Sequence, residues 1–242
     1  MPNAHGARGC TGKPDGKSDL EVAEELDCED VLGRVVLRLV NREHVDDGVL
    51  ASCTYAREHA GGLLELLELL GPGPARYLRD GDVARYGRRD LWAAALENLL
   101  SAPLARHKVI EWPWGTRIHE LWDESATHTA SKVLVLKDVL RRVLGTDDFP
   151  YGVLVVLPTD AELAFLPIEV CQAFGALPAL AAYAREAFES DAGRLTPEVF
   201  WWRGGELRTV VSDADEGLDE QFVAMMMRVA EDERDRESGV RP

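Results

Sequence analysis

The chain has 242 residues, 46% hydrophobic and 29% charged, which fits one large domain or two small ones of a soluble globular protein. No apolar run reaches the ~18 residues of a spanning helix, and the polar, Gly-rich start has no signal-peptide core, so the reading is cytoplasmic. A net charge of -16 repels phosphate backbones and anionic lipid, which argues against nucleic-acid and membrane partners and leaves basic proteins open.

Residues 1–17 carry four glycines and two prolines with little to bury, and read as a disordered leader. Residues 18–236 read as one domain with a sub-boundary near 71–75, and 237–242 as a flexible tail. Ser18-Asp19-Leu20-Glu21 has capping-box spacing and opens a helix through Leu26. Val31 to Val40 fits both a strand and one helical face, and the reading leans to helix. Gly62 to Leu70 also reads as helical, stopped by Gly71-Pro72-Gly73-Pro74. Asp90 to Leu100 places Leu91, Ala94, Ala95 and Leu99 on one stripe and predicts a helix ending before Pro103.

From Arg106 to Trp122 the pattern turns β-branched and aromatic, predicting two short strands or a strand and a loop. Ser131 to Leu144 returns to helical spacing, with Gly145 where a C-terminal cap would stand. Tyr151 to Leu157 is an apolar run between Pro150 and Pro158, as expected of a strand covered on both faces. A turn at 158–161 and a strand from Glu162 to Leu166 complete an antiparallel hairpin. Glu169 to Ser190 reads as helix with a break at Pro178, Phe200–Trp202 and Leu207–Val211 as a hairpin across Gly204-Gly205, and Gly217 to about Glu233 as a final amphipathic helix. The order predicts an α+β fold, with a mixed or antiparallel sheet flanked by helices and a helix-rich N-terminal half.

Signatures for dinucleotide, P-loop, serine-hydrolase and zincin chemistry are absent from the sequence. Cys10, Cys28, Cys53 and Cys171 have neither zinc-knuckle nor disulfide-framework spacing, and Cys171 reads as an inert core residue. His119, Asp123 and His128 come nearest to a metal motif, but Ile118 and Trp122 should take the buried face and send them apart, so no metal or other cofactor is expected. His44 and His59 read as surface residues beside acidic neighbours.

The candidate partner surface is aromatic and flexible. Trp112, Trp114, Trp201 and Trp202 can floor a ligand pocket or anchor an interface, and adjacent Trp201 and Trp202 on a strand must point to opposite faces. Met225 and Met226 supply adaptable side chains on the last helix, where a core role is the commoner one. Arg85 and Arg88 belong to an Arg-rich stretch that can clasp an acidic ligand or pair within this acidic chain.

The residues Tyr77-Leu78-Arg79-Asp80-Gly81-Asp82-Val83-Ala84-Arg85-Tyr86-Gly87, followed by Leu91 to Leu99, resemble the YtpQ-like family of uncharacterised bacterial proteins. The similarity extends from about Tyr55 to Val211, with departures at Thr159-Asp160 and in the apolar stretch Gly61 to Gly73. It implies an α+β fold and no catalytic residues; Asn98, at the end of its helix, can cap it or bond a neighbouring strand. Together these features point to a non-enzymatic, acidic protein-interaction domain, inhibitor-like or immunity-like, with a basic partner. The alternative is a small-molecule-binding protein or biosynthetic enzyme whose pocket joins the tryptophans to Arg85, Arg88 or His119.

Overall fold

The computed structural model describes residues 27–71, 76–104, 106–112, 116–123, 128–190, 193–211 and 217–238. The leader, the Ser18 helix start, Trp114 and the Pro-Gly turn at 72–74 lie outside these residues. The fold is α+β, and every strand pairing is antiparallel.

The first sheet contains β1 (Val35–Asn41), β2 (Arg57–Glu58), β3 (Leu63–Leu69) and β4 (Arg76–Tyr77). β3 is its centre, pairing with β1 along its whole length and with β2 and β4 on the other side. Helices α1 (Cys28–Leu32) and α2 (Asp47–Ser52) flank β1 in the chain, and α3 (Asp80–Tyr86) and α4 (Arg88–Ser101) follow β4. The second sheet runs β10-β9-β7-β8-β6-β5, from β10 (Glu206–Val211) and β9 (Val199–Arg203) through β7 (Val153–Val156) and β8 (Glu162–Pro167) to β6 (Arg117–Trp122) and β5 (Arg106–Glu111). Helix α5 (Leu136–Leu144) precedes β7, α6 (Leu177–Ser190) follows β8, and α7 (Glu220–Glu237) ends the described chain.

Two segments correct the sequence reading. Val35–Asn41 and Leu63–Leu69 are strands, where spacing favoured helices at Val31–Val40 and Gly62–Leu70. All seven residues of β3 are buried, so both of its faces are covered and the period-2 signal that identifies a half-exposed strand is lost. Elsewhere the elements fall close to expectation. The helix across Ser131–Leu144 is a 3₁₀ turn over Ala130–Val135 followed by α5, which ends at left-handed Gly145. Likewise α6 is preceded by a 3₁₀ segment, Cys171–Ala176, so the irregularity lies before Leu177 and not at Pro178.

Alternation along the second sheet builds two cores. Val153, Val155, Leu163, Phe165 and Phe200 join the first sheet, α4 and α5 in one cluster. Leu154, Val156, Leu166, Val199 and Trp201 face Leu180 of α6 and Phe222, Met225 and Val229 of α7 in the other. Side chains close the free edge of β1. Asn98 Nδ2 donates to the carbonyls of Leu32 and Val35, both at 2.8 Å, and the Leu39 N–H donates to Ser131 Oγ at 2.9 Å. Buried Lys132 reaches from the 3₁₀ turn to the Leu99 and Ala102 carbonyls, where a cation meets the C-terminal end of the α4 dipole.

Candidate functional site: two buried carboxylates on strand β3

A strand sends alternate side chains to opposite faces, so Glu65 and Glu68 of β3 lie on opposite sides of the first sheet. Both are buried, and each is held by a histidine and an arginine.

Glu65 Oε1 accepts the indole N–H of Trp92 at 2.6 Å, and Oε2 lies 3.0 Å from His59 Nε2. Arg57 Nη1 approaches Oε1 at 3.5 Å while its guanidinium lies 4.9 Å from the centre of the Trp92 ring. Burial pushes the Glu65 carboxyl up, but His59, Trp92 and Arg57 outweigh it and hold the group below the ordinary carboxylate range. The site opens into a cleft of about 230 Å³, with Glu65, His59, Arg57 and Trp92 on one side and Trp202 and Leu207 of the β9–β10 hairpin on the other. Chemically it is an ionised carboxylate between indole walls, a geometry that attracts cations. Its present cation is Arg57, whose side chain remains about half exposed.

Glu68 Oε1 accepts from Arg38 Nη1 at 2.7 Å and Oε2 lies 2.5 Å from His128 Nε2. The second arm of Arg38 reaches Asp160 Oδ2 at 3.0 Å, in the turn between β7 and β8, and so ties the two sheets together. Burial again opposes ionisation of Glu68, and His128 and Arg38 reverse the balance. Arg38, Asn41, His44, Tyr77, Asp160 and Arg194 border a cleft of about 440 Å³ at the sheet junction.

The residues expected to form one surface are dispersed. Trp201 is buried against Phe222 of α7, whereas Trp202 faces the Glu65 cleft, so the adjacent indoles do point opposite ways. Trp112 packs on the α6–α7 side, and Trp114 lies outside the described residues. Met225 is buried and Met226 half-buried in that same core, which accounts for their apolar character without a partner. The guanidinium of Arg88 lies 5.0 Å from the Trp92 ring centre, adjoining the Glu65 site, while Arg85 lies over its neighbour Tyr86. Among the described residues of the named set, Trp202 alone lines this cleft, and Arg88 reaches its border only through the Trp92 ring.

The imidazoles take separate partners. His119 Nδ1 is 3.1 Å from His107 Nε2 and its ring stacks on Phe165, whereas His128 pairs with Glu68. Among the described residues, no group of three or more His, Cys, Asp or Glu side chains could hold a metal ion. Burial, with His107 and Arg117 nearby, pushes the His119 imidazole down to about 4. His59 is a correction, because it is half-buried on Glu65 and not a surface residue. Burial raises the Cys171 thiol to about 11, helped by Glu233, in keeping with an inert thiol.

Sequence reasoning missed Glu65 and Glu68. The available signal was two ionisable residues inside an otherwise unbroken leucine run, where a charge survives only with partners brought by the fold. No helix among the described residues is long and apolar enough to cross a membrane. No protein-family model, curated protein or solved structure matches the chain.

Proposed function

We propose that this chain is a soluble, cytoplasmic, non-enzymatic interaction domain, inhibitor-like or immunity-like, that captures a basic protein, and that the Glu65 cleft receives an arginine or lysine side chain of that partner. The carrying observation is internal mimicry: Arg57 already lies over Trp92 and against Glu65, the pose a partner cation would take in its place. The net charge of -16 supports the reading by speeding the approach of a basic partner. A desolvated cation over an indole contributes roughly 0.5–2 kcal/mol, enough to select a side chain within a larger interface. The YtpQ-like resemblance brings no chemistry of its own, so the reading rests on the site.

The test is titration of Arg57→Ala with the peptide amide Gly-Arg-Gly, followed by tryptophan fluorescence. Saturable binding that weakens with added salt, and that is lost in Arg57→Ala/Trp202→Ala, is the expected result. An Arg57→Ala protein that gives no saturable response removes the cleft from the proposal.

A second reading, small-molecule binding, is favoured by the 440 Å³ cleft at the sheet junction, whose size and mixed polar lining suit a metabolite. Thermal shift against a metabolite panel separates the two: a hit abolished by Asn41→Ala but untouched by Trp202→Ala belongs to this cleft.

A further inference from the structure

The six-stranded sheet ends in β5, and among the described residues nothing pairs with its outer edge. Exposed strand edges are templates for further pairing, and proteins blunt them with bulges or with charges standing at the edge. The opposite edge strand, β10, is blunted in that way, with a register shift between Thr209 and Val211. β5 is different: six consecutive residues pair with β6 without a break. Its charges are also turned back over the hairpin. Arg106 lies over the Trp122 ring at 5.3 Å, Lys108 Nζ is 3.7 Å from Glu120, and Glu111 is 3.9 Å from Arg117.

Hydrogen-bond parity decides which backbone groups the edge offers. The Trp112 N–H donates to the Thr116 carbonyl at 2.7 Å, so in this register the inward-bonding residues of β5 are Ile110, Lys108 and Arg106. The Asp123 N–H donates to the Ala161 carbonyl at 3.1 Å, so His119 and Leu121 of β6 bond to β8, which agrees independently. His107, Val109 and Glu111 therefore point their N–H and C=O groups to the free edge. Among the described residues Val109 is also one of the few large apolar side chains that are exposed, at 42%.

We propose that β5 pairs antiparallel with β5 of a second copy, about a two-fold axis at Val109, giving one sheet continuous across the dimer. A two-fold pairing of outward-bonding residues sets Val109 opposite Val109 of the second copy. The same register sets His107 opposite Glu111 and Arg106 opposite Trp112 of that copy. Those two pairs are what select this chain as its own partner, an imidazole meeting a carboxylate that is 78% exposed and held by Arg117 only at 3.9 Å, and a guanidinium exchanging the Trp122 ring for the half-exposed Trp112 indole of the second copy. A two-fold contact also closes on itself, whereas β5 against β10 of another copy would propagate into fibres. Because each copy carries -16, added salt should tighten the dimer.

Sedimentation analysis of the full chain tests this. The wild-type protein is expected to be a dimer at micromolar concentration, tighter in higher salt. Val109→Pro removes an N–H that points away from β6, so it should give a monomer with unchanged circular dichroism. Glu111→Lys should weaken association about tenfold, and His107→Glu in the same chain should restore it. A wild-type chain that stays monomeric at every concentration and salt overturns the proposal. So does a Val109→Pro chain that remains dimeric, or a His107→Glu/Glu111→Lys chain no tighter than Glu111→Lys alone.

Discussion

Trp92 on α4 donates its indole N–H to Glu65 on β3 at 2.6 Å, across 27 positions of sequence, and this bond fixes both the carboxylate and the aromatic wall of the cleft. A buried carboxylate keeps its charge only while such donors surround it. Trp92→Phe keeps most of the apolar volume but removes the donor, and the expected cost is about 1–3 kcal/mol of unfolding free energy by urea denaturation. A variant as stable as wild type would show that the bond contributes nothing.

Glu68 should govern acid stability. Its folded carboxyl, like that of Glu65, is held below the ordinary value, so the stability it supplies is complete above about pH 4.3 and lost as pH falls through the depressed folded value. Glu68→Gln breaks the pairing with Arg38 and His128 and should cost about 3–5 kcal/mol at neutral pH. Its denaturation midpoint should then fall less steeply than the wild-type midpoint on further acidification.

His119 predicts a second, higher window. Its imidazole is pushed down to about 4, so between about pH 6.5 and 4 the unfolded chain binds a proton that the folded chain refuses. Stability from the neutral ring is present above that window and declines through it. His119→Phe, which retains a ring to stack on Phe165, should flatten the wild-type slope across this range in thermal melts recorded at a series of pH values.

Gly152 cannot be replaced. It has φ +85°, and a Cβ there would lie 2.5 Å from Trp201 Nε1 and 2.6 Å from the Trp202 carbonyl. Gly152→Ala should cost about 2–4 kcal/mol, from left-handed backbone strain and the clash together. The Trp201 N–H, which donates to the Tyr151 carbonyl at 2.8 Å, should lose that bond, shifting the tryptophan emission to the red.

Local chemistry alone determined the elements that carry their own signal. The apolar run before Pro158, the stripe from Leu91 to Leu99, the Gly204-Gly205 turn and the opposite orientation of Trp201 and Trp202 follow from periodicity, turn residues and pleat geometry. For Asn98 the sequence offered two uses of an amide at a helix end, capping or bonding a neighbouring strand, and the fold takes the second, at the Leu32 and Val35 carbonyls. Only the tertiary structure decided that β1 and β3 are strands, because burial on both faces erases the alternation that separates strand from helix over seven residues. The site was hidden for a related reason. Glu65 is charged because of Arg57, His59 and Trp92, and Glu68 because of Arg38 and His128, partners lying 6 to 60 positions apart. A carboxylate in a leucine run acquires its chemistry from neighbours that sequence spacing does not place beside it, and that placement is the work of sheet pairing and helix packing.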